Sequence, residues 1–214
     1  AFTIRQRLRV TAPIGGEKWY MGTTTDIVWE GCYESPAVVE IDFSRDGGIT
    51  YSTDEMNGRI ANLASNIQTT KYNRFSWSIP FETNFLSETA KIRVQAAGSG
   101  NYADQSDAPF ILAGMVVTNP TAGRKVKRGE FYTIGWMASG AGTNIAIDLS
   151  YDGGASYTNI YANVPNRTGT NTFVWNVTQA GTDNAKLRFR SLSDPQCVGY
   201  SPNFVLADID VISP

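Results

Sequence analysis

The stretch PIGGEKWYMGTTTDIVW, Pro13 to Trp29, is matched without a gap by PTAGRKVKRGEFYTIGW, Pro120 to Trp136. The match continues in order along the chain. VVEIDFSRDGG is followed later by IAIDLSYDGG, and FSWSIP by TFVWNV, which sets Trp77 against Trp175. AKIRV answers AKLRF, and APFILAGMVVTNP answers SPNFVLADIDVISP. Self-similarity of this kind means that one folding unit occurs more than once. The chain divides into a first copy over 1–113, a second over 114–208, and a short remainder, 209–214.

The remainder reads IDVISP, like the MVVTNP that opens the second copy and the LRVTAP that opens the first. Two readings are open. The chain is a piece of a longer array, or Ile209, Val211 and Ile212 form an orphan strand donated to another subunit's sheet. Only Ala113 and Gly114 separate the strands on either side of the first boundary. With no Gly/Ser linker there, a stiff end-to-end rod is expected.

Each copy consists of short runs rich in Val, Ile, Phe and Trp with turn residues between them. TDIVWE, VEIDFS, FSWSI, KIRVQA and PFILA alternate or run apolar, and no window keeps a helical period. Several short strands in roughly 100 residues predict an all-β chain of two tandem immunoglobulin/fibronectin-III-like β-sandwiches. Trp29, Trp77, Trp136 and Trp175 are expected in the cores, because burying an indole is worth several kcal/mol, roughly 3–5 by truncation.

Composition removes several function classes. The 214 residues include no histidine, which excludes Ser-His-Asp and Cys-His catalysis and histidine-based metal sites. The formal net charge of −2 lacks the basic footprint of a nucleic-acid surface. No apolar run reaches the roughly 18 residues of a membrane span, and residues 1–20 carry no signal-peptide core. The two cysteines, Cys32 and Cys197, make no disulfide framework. They fall in loops of different copies, roughly 30–40 Å apart in a rod at about 3.3 Å per strand residue. That is beyond the ~7 Å a bridge allows between Cα atoms. Low Lys and Glu with abundant Thr, Ser, Asn, Gly and Tyr points to an extracellular or cell-surface β protein.

The octets SRDGGITY (44–51) and SYDGGASY (150–157) are the most conspicuous polar motif. Gly47-Gly48 and Gly153-Gly154 supply positive φ for a tight turn, and the carboxylates of Asp46 and Asp152 can accept from the turn's own amides. The octet resembles the Asp-box of sialidases and other secreted β proteins, where it is a folded hairpin away from the chemistry. Asp46 and Asp152 are also weak calcium candidates, but calcium wants six to eight oxygens and each turn offers one carboxylate. No other cofactor is suggested. Asp54 and Glu55 are adjacent, whereas glycoside hydrolysis needs two carboxyls facing across a substrate.

The landmarks Gly16, Gly22, Trp29, Asp46-Gly47-Gly48, Trp77, Ala90-Lys91, Arg93, Asp107 and Phe110 form a pattern. The second copy repeats it as Gly123, Gly129, Trp136, Asp152-Gly153-Gly154, Trp175, Ala185-Lys186, Arg188 and Phe204. The pattern resembles the Ser-Thr-rich glycosylphosphatidylinositol-anchored domain family, related to the amino-terminal domain of fungal cell-wall β-1,6-glucan assembly proteins. The resemblance covers nearly the whole chain twice. It implies a sandwich, a surface location and a wall or matrix role, and no catalytic residues. Trp19 is replaced by Val126 in the second copy, which favours a core position over a binding aromatic.

Tyr20, Tyr33, Tyr72, Tyr151, Tyr161 and Tyr200 are candidate ligand or interface residues, able to stack on sugars if they share a face. The copies differ most between Tyr51 and Trp77, where the first is longer, so that loop is the natural place for specific contacts. Asn166-Arg-Thr and Asn176-Val-Thr fit the N-glycosylation sequon. The expected function is a non-catalytic extracellular structural or assembly protein whose partners are itself, other surface proteins or a polysaccharide. The alternative is a carbohydrate-binding accessory module of a secreted hydrolase.

Overall fold

The computed structural model describes residues 8–31, 38–51, 59–61, 67–68, 72–97 and 102–208. Expectations placed on Cys32, Tyr33, Ile209, Val211, Ile212 and most of the loop after Tyr51 lie outside them. The chain forms two compact units, Ala1–Leu112 and Ala113–Pro214.

In the first unit the strands are β1 (Arg9–Ala12), β2 (Lys18–Tyr20), β3 (Thr24–Glu30), β4 (Val38–Ser44), β5 (Arg59–Ala61), β6 (Ile67–Gln68), β7 (Tyr72–Ser78), β8 (Ser87–Ala96) and β9 (Ala103–Gln105). β10 (Phe110–Asn119) begins in this unit and ends in the next. One layer is the sheet β1-β3-β7. The other is built on β8, with β4 and the start of β10 along its sides and β9 also paired to it. Alternation decides what each strand buries. Ile27 and Trp29 of β3 enter from one layer, and Ile41, Ile92, Val94 and Phe110 from the other, all fully buried. Trp77 packs 5.6 Å from Phe85 and 6.1 Å from Phe43, ring centre to ring centre. Trp19, half-buried, joins the cluster at 5.0 Å from Phe110, and its counterpart Val126 is fully buried, so this position packs on the core in both copies.

The second unit adds β11 (Lys125–Lys127), β12 (Phe131–Ser139), β13 (Asn144–Ser150), β14 (Thr158–Pro165), β15 (Gly169–Asn176), β16 (Thr182–Ser191), β17 (Val198–Tyr200) and β18 (Phe204–Ala207). The chain crosses between layers from β12 to β13, returns from β14 to β15, and crosses again to β16. The result is β15-β12-β10 packed on β11-β18-β16-β13-β14, with β17 also on β16. This is the crossed connectivity of an immunoglobulin/fibronectin-III-like sandwich. Among the described residues of this unit, every pairing is antiparallel except β11 with β18. Trp136 and Trp175 are fully buried, at 5.3 Å from Phe189 and 6.3 Å from Phe204 respectively. The edges of the larger sheet are irregular. β11 is short and flanks its one buried residue with exposed Lys125 and Lys127. β14 shifts register twice against β13 and ends on Pro165.

Candidate functional site

The polar constellation that recurs in both units grows from strand parity. In β4 and β13 the sequences VVEIDFS and NIAIDLS turn Ile, Phe and Leu to the core, so Asp42 and Asp148 point to the outer face of the sheet. Both are nonetheless buried, because side chains from the adjacent β8 and β16 close over them. Register sets Asp42 opposite Arg93 and Asp148 opposite Arg188. Arg93 donates Nη2 to Asp42 at 2.8 Å and Nε at 3.3 Å. Asp148 receives Nε of Arg188 at 2.9 Å, Nε and Nη2 of Arg190 at 2.5 and 3.1 Å, and the Asn159 amide at 2.8 Å. Burial pushes the Asp148 carboxyl up, but the hydrogen bonds from Arg190, Asn159 and Arg188 outweigh it and hold the pKa at about 2. The first unit has Gln95 where the second has Arg190, and Gln95 donates instead to Glu40 at 2.9 Å.

A tyrosine lies over each guanidinium. Arg93 sits 4.1 Å from the Tyr51 ring centre and Arg188 4.2 Å from that of Tyr157, cation–π geometry in both units. Burial raises the Tyr51 hydroxyl to about 12, Arg93 opposing, and that hydroxyl donates to Gln105. Tyr157, also raised by burial, faces Tyr200 at 6.4 Å instead, with Lys186 Nζ 5.7 Å from the Tyr200 ring.

The octets fold immediately beside these stacks. Asp46 Oδ1 accepts from Ser44 Oγ at 2.7 Å and from the Thr50 amide at 2.9 Å, while Oδ2 accepts from Thr50 Oγ1 at 2.5 Å. Asp152 repeats this with Ser150 and Ser156 at 2.6, 2.9 and 2.6 Å. Ser44 and Ser150 also take the amides of Gly48 and Gly154, at 2.8 and 2.7 Å. Gly47, Gly48, Gly153 and Gly154 all have positive φ, as such a turn demands. Hydrogen bonds from Thr50 and then Ser44 hold the Asp46 carboxyl at about 2, and those from Ser150 and Ser156 hold Asp152 below the ordinary carboxylate range. Each carboxylate is therefore engaged by three donors of its own turn. No grouping of three or more His, Cys, Asp or Glu occurs among the described residues.

Within each unit, the described tyrosines do not share one face. Tyr20 is half-buried on β2 under Lys18, and Tyr72 is exposed on β7 in the opposite layer. In the second unit Tyr161 is half-buried, turned to Phe173 at 4.6 Å with its ring nearly perpendicular. Tyr151 is exposed in the octet turn, and Tyr200, 41% exposed, stands beside Tyr157 on the sheet face. Cys197 is buried in the loop between β16 and β17.

The two sequons have opposite fates. Asn166 is 7% exposed, its Oδ1 takes the Trp136 indole N–H at 2.8 Å, and its Nδ2 donates to the Gly142 carbonyl at 2.6 Å. It lines a shallow depression with Pro165, Arg167, Asn171 and Thr172. The Asn171 amide braces that loop against the carbonyls of Arg167 and Gly169, at 2.8 and 2.9 Å. Asn176 is exposed at the end of β15.

The aspartate–arginine pairs were not singled out from sequence. Their signal was available: the outward Asp of IDFS and IDLS and the outward Arg of AKIRV and AKLRF recur together in both copies.

No protein-family model and no curated protein matches the chain. Among solved structures, the fibronectin(III)-like modules of Clostridium thermocellum CbhA match over 97% of each chain, at 13% identity and a TM-score of 0.30. DIP-gamma IG1+IG2 matches over 94% of this chain and 97% of its own, at 8% identity and a TM-score of 0.33. A chimeric titin Z1Z2 matches over 96% and 98%, at 13% identity and a TM-score of 0.31. At these scores the fold class rests on the chain's own strand connectivity.

Proposed function

We propose that this chain is a non-catalytic, extracellular structural protein, a tandem pair of immunoglobulin-like domains that works in a surface layer, adhesin or filament by associating with itself or with other surface proteins. The observation that carries this reading is that the polar constellation present in both units is satisfied internally. Asp42 and Asp148 are spent on arginines, and Asp46 and Asp152 on their own turns. A catalytic pair would instead be unique to one copy and open to a substrate. The landmark resemblance to cell-wall assembly domains supports a wall or matrix setting. Sedimentation and electron microscopy of the natural material test it: ordered assemblies are expected, and a strict monomer at every concentration overturns it.

A second reading, a carbohydrate-binding accessory module, is favoured by the Tyr157–Tyr200 pair flanked by Lys186. Retention on insoluble polysaccharide that is lost in Tyr200→Ala would select it over assembly, and silence would remove it.

A further inference from the structure

We propose that Asn176 is the N-glycan acceptor of this chain, that Asn166 is not, and that the first sugar on Asn176 packs on Phe131.

Both asparagines carry the required Asn-x-Thr spacing. The fold separates them. Asn166 is enclosed, and both ends of its amide are committed, one to the Trp136 indole and one to a backbone carbonyl. A sugar on Nδ2 would break the bond to Gly142, expel the side chain and orphan a buried indole N–H. A chain glycosylated there cannot reach this native state. Asn176 is exposed, with exposed Thr178 two residues on, and among the described residues nothing engages its side-chain amide.

The surroundings of Asn176 point to an occupant. It lies directly opposite Phe131 in the antiparallel register of β12 and β15, so the two side chains stand on the same face about 5 Å apart. Phe131 is 75% exposed, and Val174, diagonal to it on that face, is 58% exposed. An apolar ring held this open next to a glycan acceptor offers its face to the C–H side of a pyranose. The first copy lacks both elements at the same place. Thr24 and Ser78 occupy it and hydrogen-bond to each other at 3.0 Å.

The donor is a lipid-diphosphate-linked oligosaccharide, used by a membrane oligosaccharyltransferase. Asn176 Nδ2 forms a bond to C1 of the reducing-end sugar as the C1–O bond to the diphosphate breaks. The lipid diphosphate leaves, and one amide proton passes to the enzyme's base. Transfer occurs on the extended chain, so the folded state decides which product survives. The proposal rests on the extracellular half of the reading above and not on assembly: a glycosylated monomer would sink assembly and leave this intact.

The test is secretion of the full chain from a glycosylating eukaryotic host, followed by glycopeptide mass spectrometry of the folded product. Occupancy at Asn176 and none at Asn166 is expected. After trimming to one N-acetylglucosamine, Tm should exceed that of Thr178→Ala by a few degrees, and Phe131→Ala should abolish the gain. Folded protein carrying sugar at Asn166, an empty Asn176, or an equal gain without Phe131 overturns it.

Discussion

Replacing Asp148 by alanine removes the acceptor at the centre of the second unit's outer sheet face. Four hydrogen bonds are lost, two from Arg190 and one each from Arg188 and Asn159, together with the ion-pair contact of Arg188 Nη2 at 2.9 Å. They are not left equally destitute. The side chains of Arg188 and Arg190 are 29% and 41% exposed, so both heads reach water. The Asn159 amide keeps the carbonyls of Ile147 and Tyr161. The expected loss is therefore about 2–3 kcal/mol, that of one or two charge-assisted hydrogen bonds, below the ~3–5 kcal/mol of a pair whose surviving charge is stranded. For a unit of roughly 100 residues this lowers Tm by about 10–20 °C. Hydrogen exchange at Ile147 and Phe189, paired across β13 and β16, isolates this unit, and protection there should fall roughly 30- to 150-fold. The dependence on pH follows from the carboxyl. Its native pKa, about 2, is below its ordinary value of 3.8, so the unfolded chain takes up the proton first. The stabilisation is complete above about pH 4 and is lost as pH falls through about 2, and Asp148→Ala should lack that slope. A fall in protection below threefold, or the same acid slope in both proteins, would refute the assignment.

Two further outcomes follow from the turns and strand contacts. The Asp46 carboxyl should titrate near 2 by carbon-detected NMR and move up in Thr50→Ala, since Thr50 supplies the largest part of its stabilisation; an unmoved midpoint refutes this. In Gly199→Ala the new Cβ would lie 2.8 Å from Met115 Cβ and 2.9 Å from its carbonyl carbon, for a loss of more than about 2 kcal/mol in denaturant unfolding. Gly16→Ala meets nothing within 4 Å and incurs only its positive φ, about 1 kcal/mol, so a reversed order would refute the packing argument.

The sandwich was legible because its signals are local and come twice. Matched Pro-to-Trp spacings, β-rich runs and the Asp-Gly-Gly turn each act over short stretches of chain. What the sequence concealed depends on partners distant along the chain. The tyrosines looked alike as exposed aromatics, yet Tyr161 and Tyr200 diverge because position 161 pairs with core-facing Ile147 and position 200 with outward Arg188. Asn166 and Asn176 were indistinguishable as sequons, since only folding brings Trp136 to the first. The aspartate–arginine pairs needed two readings at once, the parity of each strand and the register between them. Parity alone calls Asp148 solvent-facing, and the arginines that bury it lie 40 and 42 residues on.

The borders of the second unit's larger sheet bear on a hazard peculiar to repeats. Neighbouring domains of nearly the same pattern share one chain, so each sees the other at millimolar effective concentration while folding. Strands of like sequence could then exchange partners and trap the pair in a swapped state. Lys125 and Lys127 would place two cations against any strand arriving at β11, and the double register shift and Pro165 spoil β14 as a template. Such borders disfavour exchange between like-sequenced neighbours, a safeguard against misassembly encoded in strands with one buried residue each.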